Sequence, residues 1–128
     1  SNEGLLALRA AIYMAAMGPS GISAAARLCL SKAHYAAAKI ADVEGLELVW
    51  PDGPFFKEFL VRSTRLPVAR LMDAAAAKGI LAGVPLRPEW IAAFGEVAES
   101  LDNCFLVAVT EKRARKHIDD LAAALRSA

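Results

Sequence analysis

An α+β fold, with helices packed against a small mixed β-sheet, is predicted by three features of the sequence. Residues 5–17 and 22–43 carry helical apolar spacing. Short apolar runs then alternate with Gly- and Pro-rich turns, as strands do. The last segment, to about Arg126, returns to a helical stripe of Ile118, Leu121, Ala122 and Leu125. One domain over residues 1–128 fits the length. Residues 1–3 form a boundary in which Ser1-Asn2 reads as the remnant of a removed tag. Residues 4–43 form two N-terminal helices, and residues 46–127 form an α+β core.

In the first helix Leu5, Leu6, Leu8, Ile12, Tyr13, Met14 and Met17 cover every face. Such a helix needs cover on all sides. Gly18-Pro19-Ser20-Gly21 ends it and interrupts the apolar stretch, which argues against a membrane span. The second helix sets Ile22, Ala26, Cys29, Ala33, Ala36 and Ile40 on one stripe, and Glu44-Gly45 closes it. Residues 46–50 and 55–63 read as a hairpin around Pro51-Asp52-Gly53-Pro54. Pro67 suits the first position of a helix over 68–78 that Gly79 terminates. Residues 80–84 form a short strand. Residues 85–103 hold a loop and a short helix around 91–98. The apolar run 104–109 reads as a strand buried on both faces. Thr110 then serves as N-cap of the last helix, with Glu111 in its first turn. The order is α-α-β-β-α-β-β-α.

Composition narrows the function. Fifteen Lys+Arg against fourteen Asp+Glu leave a net charge of +1, too little to draw the chain onto nucleic acid. The hydrophobic fraction of 56% is high for a small domain, so either the core is unusually rich or some apolar surface belongs against something else. Cys29 and Cys104 sit inside apolar runs and read as reduced core residues of a cytoplasmic protein. Cys29, His34, Cys104 and His117 match no usual zinc spacing, so no metal site is assigned. No phosphate loop, dinucleotide fingerprint, nucleophile elbow or zinc-protease motif occurs, and no catalytic residue is assigned. In residues 55–59 either Phe55 and Phe59, or Phe56 alone, build the core, or the aromatics form a wall facing a partner. The basic run of residues 112–117 is mostly a solvated helix face. Its start differs. Thr110, Glu111 and Arg113 stand where a buried strand meets a helix, a place that commonly holds functional residues. They are the candidate interface or active-site rim.

Five strings occur in order: YMAAMGPSG at 13–21, KAHY at 32–35, GPFFKEFLVR at 53–62, KGILAGVPL at 78–86 and VTEKR at 109–113. Together they resemble subunit 1 of decarboxylating glycine dehydrogenase, the two-subunit form of the P-protein of the glycine cleavage system. The resemblance implies the C-terminal small domain of a fold-type I pyridoxal phosphate enzyme. It implies glycine decarboxylation, with transfer of the aminomethyl group to the lipoyl arm of the H-protein. It places the pyridoxal phosphate lysine on subunit 2, so this chain holds no cofactor and is inactive alone. Subunit 2, the lipoylated H-protein and the chain's own large domain are the implied partners. The first helices would lead out of that large domain. The sequence departs from the family's pattern at Lys57, where asparagine is common, and over 87–103, which is longer than the usual connection. Two other readings are a small domain of another, aminotransferase-like, fold-type I enzyme and a stand-alone ferredoxin-like module.

Overall fold

The computed structural model describes residues 2–93, 95 and 101–128. Its elements are α1 (Glu3–Ala41), β1 (Leu46–Leu48), β2 (Glu58–Ser63), α2 (Val68–Ala76), β3 (Val84–Pro85), α3 (Pro88–Ile91), β4 (Cys104–Ala108) and α4 (Arg115–Arg126). The two predicted N-terminal helices are the two arms of α1, divided by a kink at Gly18, where φ is 63° and ψ 175°. No residue with a side chain adopts that conformation readily. Pro19, which has no N–H to offer the preceding turn, follows it.

The strands form one sheet in the order β1-β2-β4-β3. All three pairings are antiparallel, so the predicted mixed sheet is corrected to an antiparallel one. The apolar run in β4 had suggested a strand covered on both faces. It is covered fully on only one. Phe105 and Val107 are buried, whereas Leu106 is half-buried and Ala108 exposed on the other side. The predicted hairpin is present, with Leu48 opposite Val61 and a turn closed by Gly53 N–H on Trp50 O at 3.2 Å. The predicted strand over 80–84 contracts to Val84–Pro85, which pairs with Leu106 and Phe105. The short helix comes earlier than predicted, at Pro88–Ile91. The part of that prediction on residues 94 and 96–98 lies outside the described residues.

Helices cover the inner face of the sheet. Phe59, Val61, Phe105 and Val107 project from it onto α1, α2 and α4. The second arm of α1 can lie close because its contact stripe is alanine: Ala33 and Ala36 are fully buried, flanked by Cys29 and Ile40. In α4 the predicted stripe of Ile118, Leu121, Ala122 and Leu125 is buried. Pro67 caps α2 one residue before its first turn, and Gly79 ends the chain's exit from it with φ 73°. The aromatic segment divides as Phe59 buried, Phe55 packed against the core and stacked on His34 at 4.1 Å, and Phe56 exposed.

Asn103, at φ 51°, ties the elements together. Its Oδ1 accepts the Val68 N–H at 2.9 Å, capping α2. Its Nδ2 donates to Ser63 O at 2.7 Å and Leu66 O at 2.9 Å. One side chain therefore joins the end of β2, the start of α2 and the start of β4. Asn103→Ala removes three hydrogen bonds at roughly 1 kcal/mol each. The expected loss is about 3 kcal/mol, or roughly 10 °C in Tm for a domain of this size. Calorimetry checks it, and a loss below about 1 kcal/mol contradicts the role given to Asn103.

The first arm of α1 lies outside this core. Leu5, Leu6, Leu8, Ile12, Tyr13 and Met14 are each more than half exposed. By length and composition α1 as a whole meets the requirement for a bilayer-crossing helix. The stretch before the kink is shorter than the ~20 residues needed to span a hydrocarbon core. Apolar surface of this extent drives association at about 25 cal/mol per Å² covered. The chain is expected to self-associate, and the double variant Leu6→Asp, Ile12→Asp to sediment as a monomer with Tm unchanged within about 2 °C. A drop in Tm well beyond that would show that the arm supports the core.

Candidate functional site at the exit of the central strand

β4 occupies the middle of the sheet and fixes the path of the residues that follow it. Val109 N–H donates to Lys57 O at 2.9 Å, which extends the pairing with the β2 side by one residue. Residues 110–113 then form a β-turn, closed by Arg113 N–H on Thr110 O at 3.1 Å. The second arm of α1 holds this turn. Lys32 Nζ donates to Glu111 O, and Cys29 Sγ donates to Glu111 Oε2 at 3.4 Å. Glu111's carboxyl is held below the usual carboxylate range by hydrogen bonding to its own backbone N–H. The Cys29 thiol and the nearby Lys112 and Lys32 charges act in the same direction.

Thr110 is therefore not the N-cap of the last helix. That helix begins at Arg115, with Ala114 in the cap position. Alanine has no side chain to offer, and the Ala114 N–H instead donates to His117 Nδ1 at 3.2 Å. The turn's own hydrogen bond and the grip of Lys32 on Glu111 O keep residues 110–113 from entering the helix. Glu111 consequently lies before the first helical turn, not in it. Arg115 and Lys116 fill the start of α4, where positive charge is unfavourable. Both are compensated. Arg115 Nε donates to Tyr35 OH at 3.0 Å and lies over its ring, while Tyr35 donates to Asp119 at 2.6 Å. Lys116 pairs with Asp120 at 2.7 Å.

Arg113 is exposed and has no ion-pair partner among the described residues. With His117 and Asp120 it lines one end of a cavity of about 370 Å³. Ile80, Ala82, Val107, Val109 and Leu121 supply its apolar walls. The three predicted rim residues thus share one turn, and only Arg113 reaches this cavity. The sequence reading missed Lys32 and Cys29. Their three-residue separation puts them on one helical face, but nothing local shows that the chain returns there some eighty residues later.

A second cavity of about 500 Å³ lies at the hairpin end of the sheet, lined from the outer face by Leu60 and Leu106 and from the inner face by Leu48 and Phe59. Trp50, Pro54 and Phe55 form its loop side. Cys104 shares the outer face of the sheet with Leu106. Its thiol is pushed up by burial, partly offset by the Arg62 charge and hydrogen bond. Cys29 and Cys104 are both free and buried. Among the described residues no three His, Cys, Asp or Glu side chains converge as a metal site would need. No lysine lines either cavity, so neither fits a pyridoxal phosphate Schiff base.

No protein-family model matches the chain. Sequence similarity is nevertheless extensive. Over 126 residues the chain is 44% identical to the probable glycine dehydrogenase (decarboxylating) subunit 1 of Moorella thermoacetica, covering 98% of this chain and 26% of that protein. The protein of the same name from Thermomicrobium roseum is 38% identical over 129 residues, covering 100% and 26%. That from Aeropyrum pernix is 36% identical over 133 residues, covering 99% and 25%. The chain therefore spans about a quarter of the length of these relatives. A crystal structure of glycine decarboxylase, the P-protein of the glycine cleavage system, in inhibitor-bound form superposes with a TM-score of 0.82 at 30% identity. That match covers 99% of this chain and 26% of the other.

Glu111 offers a direct test of the turn's electrostatics. Its lowered folded-state pKa means that its contribution is present above the ordinary glutamate range and lost as the pH falls through the lowered value. The carboxyl carbon-13 shift of Glu111 should titrate below the ordinary value of about 4.3. Cys29→Ala should move the midpoint part of the way back up. An unmoved midpoint would remove the thiol from the account.

Proposed function

We propose that this chain, which belongs to the glycine dehydrogenase (decarboxylating) subunit 1 family, is the C-terminal small-domain part of that subunit and contributes to glycine decarboxylation. The similarity that spans nearly the whole chain, with the matching fold, carries this reading. In it, the aminomethyl group left after loss of carbon dioxide passes to the lipoyl group of an H-protein. The enzyme works in the cytoplasm. Pyridoxal phosphate, bound by subunit 2, supplies the electron sink for the carbanion chemistry.

The chain's own residues have structural tasks. The apolar first arm of α1 packs against the large domain of the same subunit, which explains why all its faces are apolar. The turn at 110–113 presents Arg113 to an acidic group on subunit 2 or on the H-protein. A stand-alone ferredoxin-like module would not carry such an uncovered arm.

A chimera tests the assignment. This chain replaces the equivalent quarter of the Moorella thermoacetica subunit 1, and the product is assembled with subunit 2 of that organism. H-protein-dependent exchange of carbon dioxide into glycine should return. A soluble, assembled chimera without exchange would refute the assignment. In the active chimera Arg113→Ala should lower exchange at least about tenfold, the value of one charge-assisted contact. The Tm of the subunit should stay within about 1 °C, because Arg113 is exposed and has no ion pair among the described residues. Unchanged exchange and unchanged subunit association would return Arg113 to the solvated surface.

A further inference from the structure

We infer that Lys32 is a positioning residue: from the body of α1 it fixes the turn at 110–113, and so makes the shape of the candidate rim depend on the seating of α1. The inference rests on the rim reading proposed above and names the group that sets its geometry.

Cys29 and Lys32 are three residues apart and emerge from one face of α1 on successive turns. Each takes a different group of the same residue. The ammonium binds the backbone oxygen of Glu111, and the thiol binds its carboxylate. A lysine donor on a carbonyl is a charge-assisted bond, stronger than a neutral one. The turn is therefore held at two levels. Its entry is fixed by Val109 on Lys57 and its middle by Lys32 and Cys29. Arg113, two residues past the grip, inherits its direction from both.

The anchor itself is rigid. Ala33, Ala36 and Ile40 next to Lys32 on α1 are fully buried, so the helix cannot slide without opening the core. Lys32 is half-buried, and the turn it holds is exposed at Lys112 and Arg113. Loss of the ammonium should leave the core intact and release the turn. The same helix continues through the Gly18 kink into the apolar arm.

Lys32→Met and Lys32→Arg separate the possibilities. In the 128-residue chain the amide exchange of Arg113, which reports the closing hydrogen bond of the turn, should rise at least about tenfold in Lys32→Met. Exchange in the core strands and Tm should stay near those of the unchanged chain, and Lys32→Arg should restore most of the protection. In the active chimera Lys32→Met should raise the KM for H-protein, or weaken subunit 2 binding, by a factor similar to that of Arg113→Ala, and Lys32→Arg should recover it. Unchanged Arg113 exchange overturns the inference. So does faster exchange in a chimera that Arg113→Ala impairs and Lys32→Met does not. If neither variant impairs the chimera, the rim reading itself fails, and the positioning role falls with it.

Discussion

The Asn103 side chain is the constraint on which the rest of the structure depends. β2 and β4 are neighbours in the sheet but are far apart in the chain, with α2, β3 and α3 between them. Asn103 closes that excursion by bonding to Ser63 and Leu66 at its beginning while standing at its end. It also satisfies the first free N–H of α2, which Pro67 in the cap position cannot do with a side chain. The register of β4 follows, and with it the place where residues 109–113 leave the sheet. The left-handed backbone at Asn103 is among the few such positions a residue other than glycine accepts, and asparagine is well suited to it.

Much of this fold was legible in the sequence because its signals are local. The alanine stripe of α1, the hairpin turn at 50–53, the terminator Gly79 and the buried stripe of α4 each follow from spacing within a few residues. The missed features are long-range. Nothing near Thr110 reveals that Lys32 waits to take the next carbonyl, and Thr110 was therefore read as a cap. The apolar run of β4 looked like a strand buried on both faces because sequence reports what a surface prefers, not whether it is covered. Asn103 lay in the segment with the weakest periodicity, and its role is set by partners 35 to 40 residues away. The three candidate rim residues do share one segment, but that segment is a turn ahead of the helix, not the helix's own start. Glu111 was placed in a first helical turn that begins only at Arg115.

Among the described residues, apolar surfaces remain open on different parts of the domain. The first arm of α1 projects beyond the core, and the hairpin end of the sheet exposes a groove bounded by Trp50, Leu60 and Leu106. The 56% hydrophobic composition is explained by these surfaces as much as by the core. A chain that represents a quarter of its relatives' length is expected to present surfaces that the remainder of the protein would cover. The buried cluster draws on the sheet's inner face and on three helices, and none of the exposed residues of the first arm belongs to it.

The kink at Gly18 carries a consequence for how the arm is aimed. A β-carbon built on Gly18 would meet nothing within 4 Å, so no neighbour excludes a side chain there. Only the handedness of the backbone does, because φ 63° with ψ 175° is the mirror image of an extended conformation that ordinary residues favour. A D-alanine would sit at this position without strain, whereas an L-alanine would turn the chain another way. The direction in which the arm leaves the body is thus encoded in chirality rather than in packing.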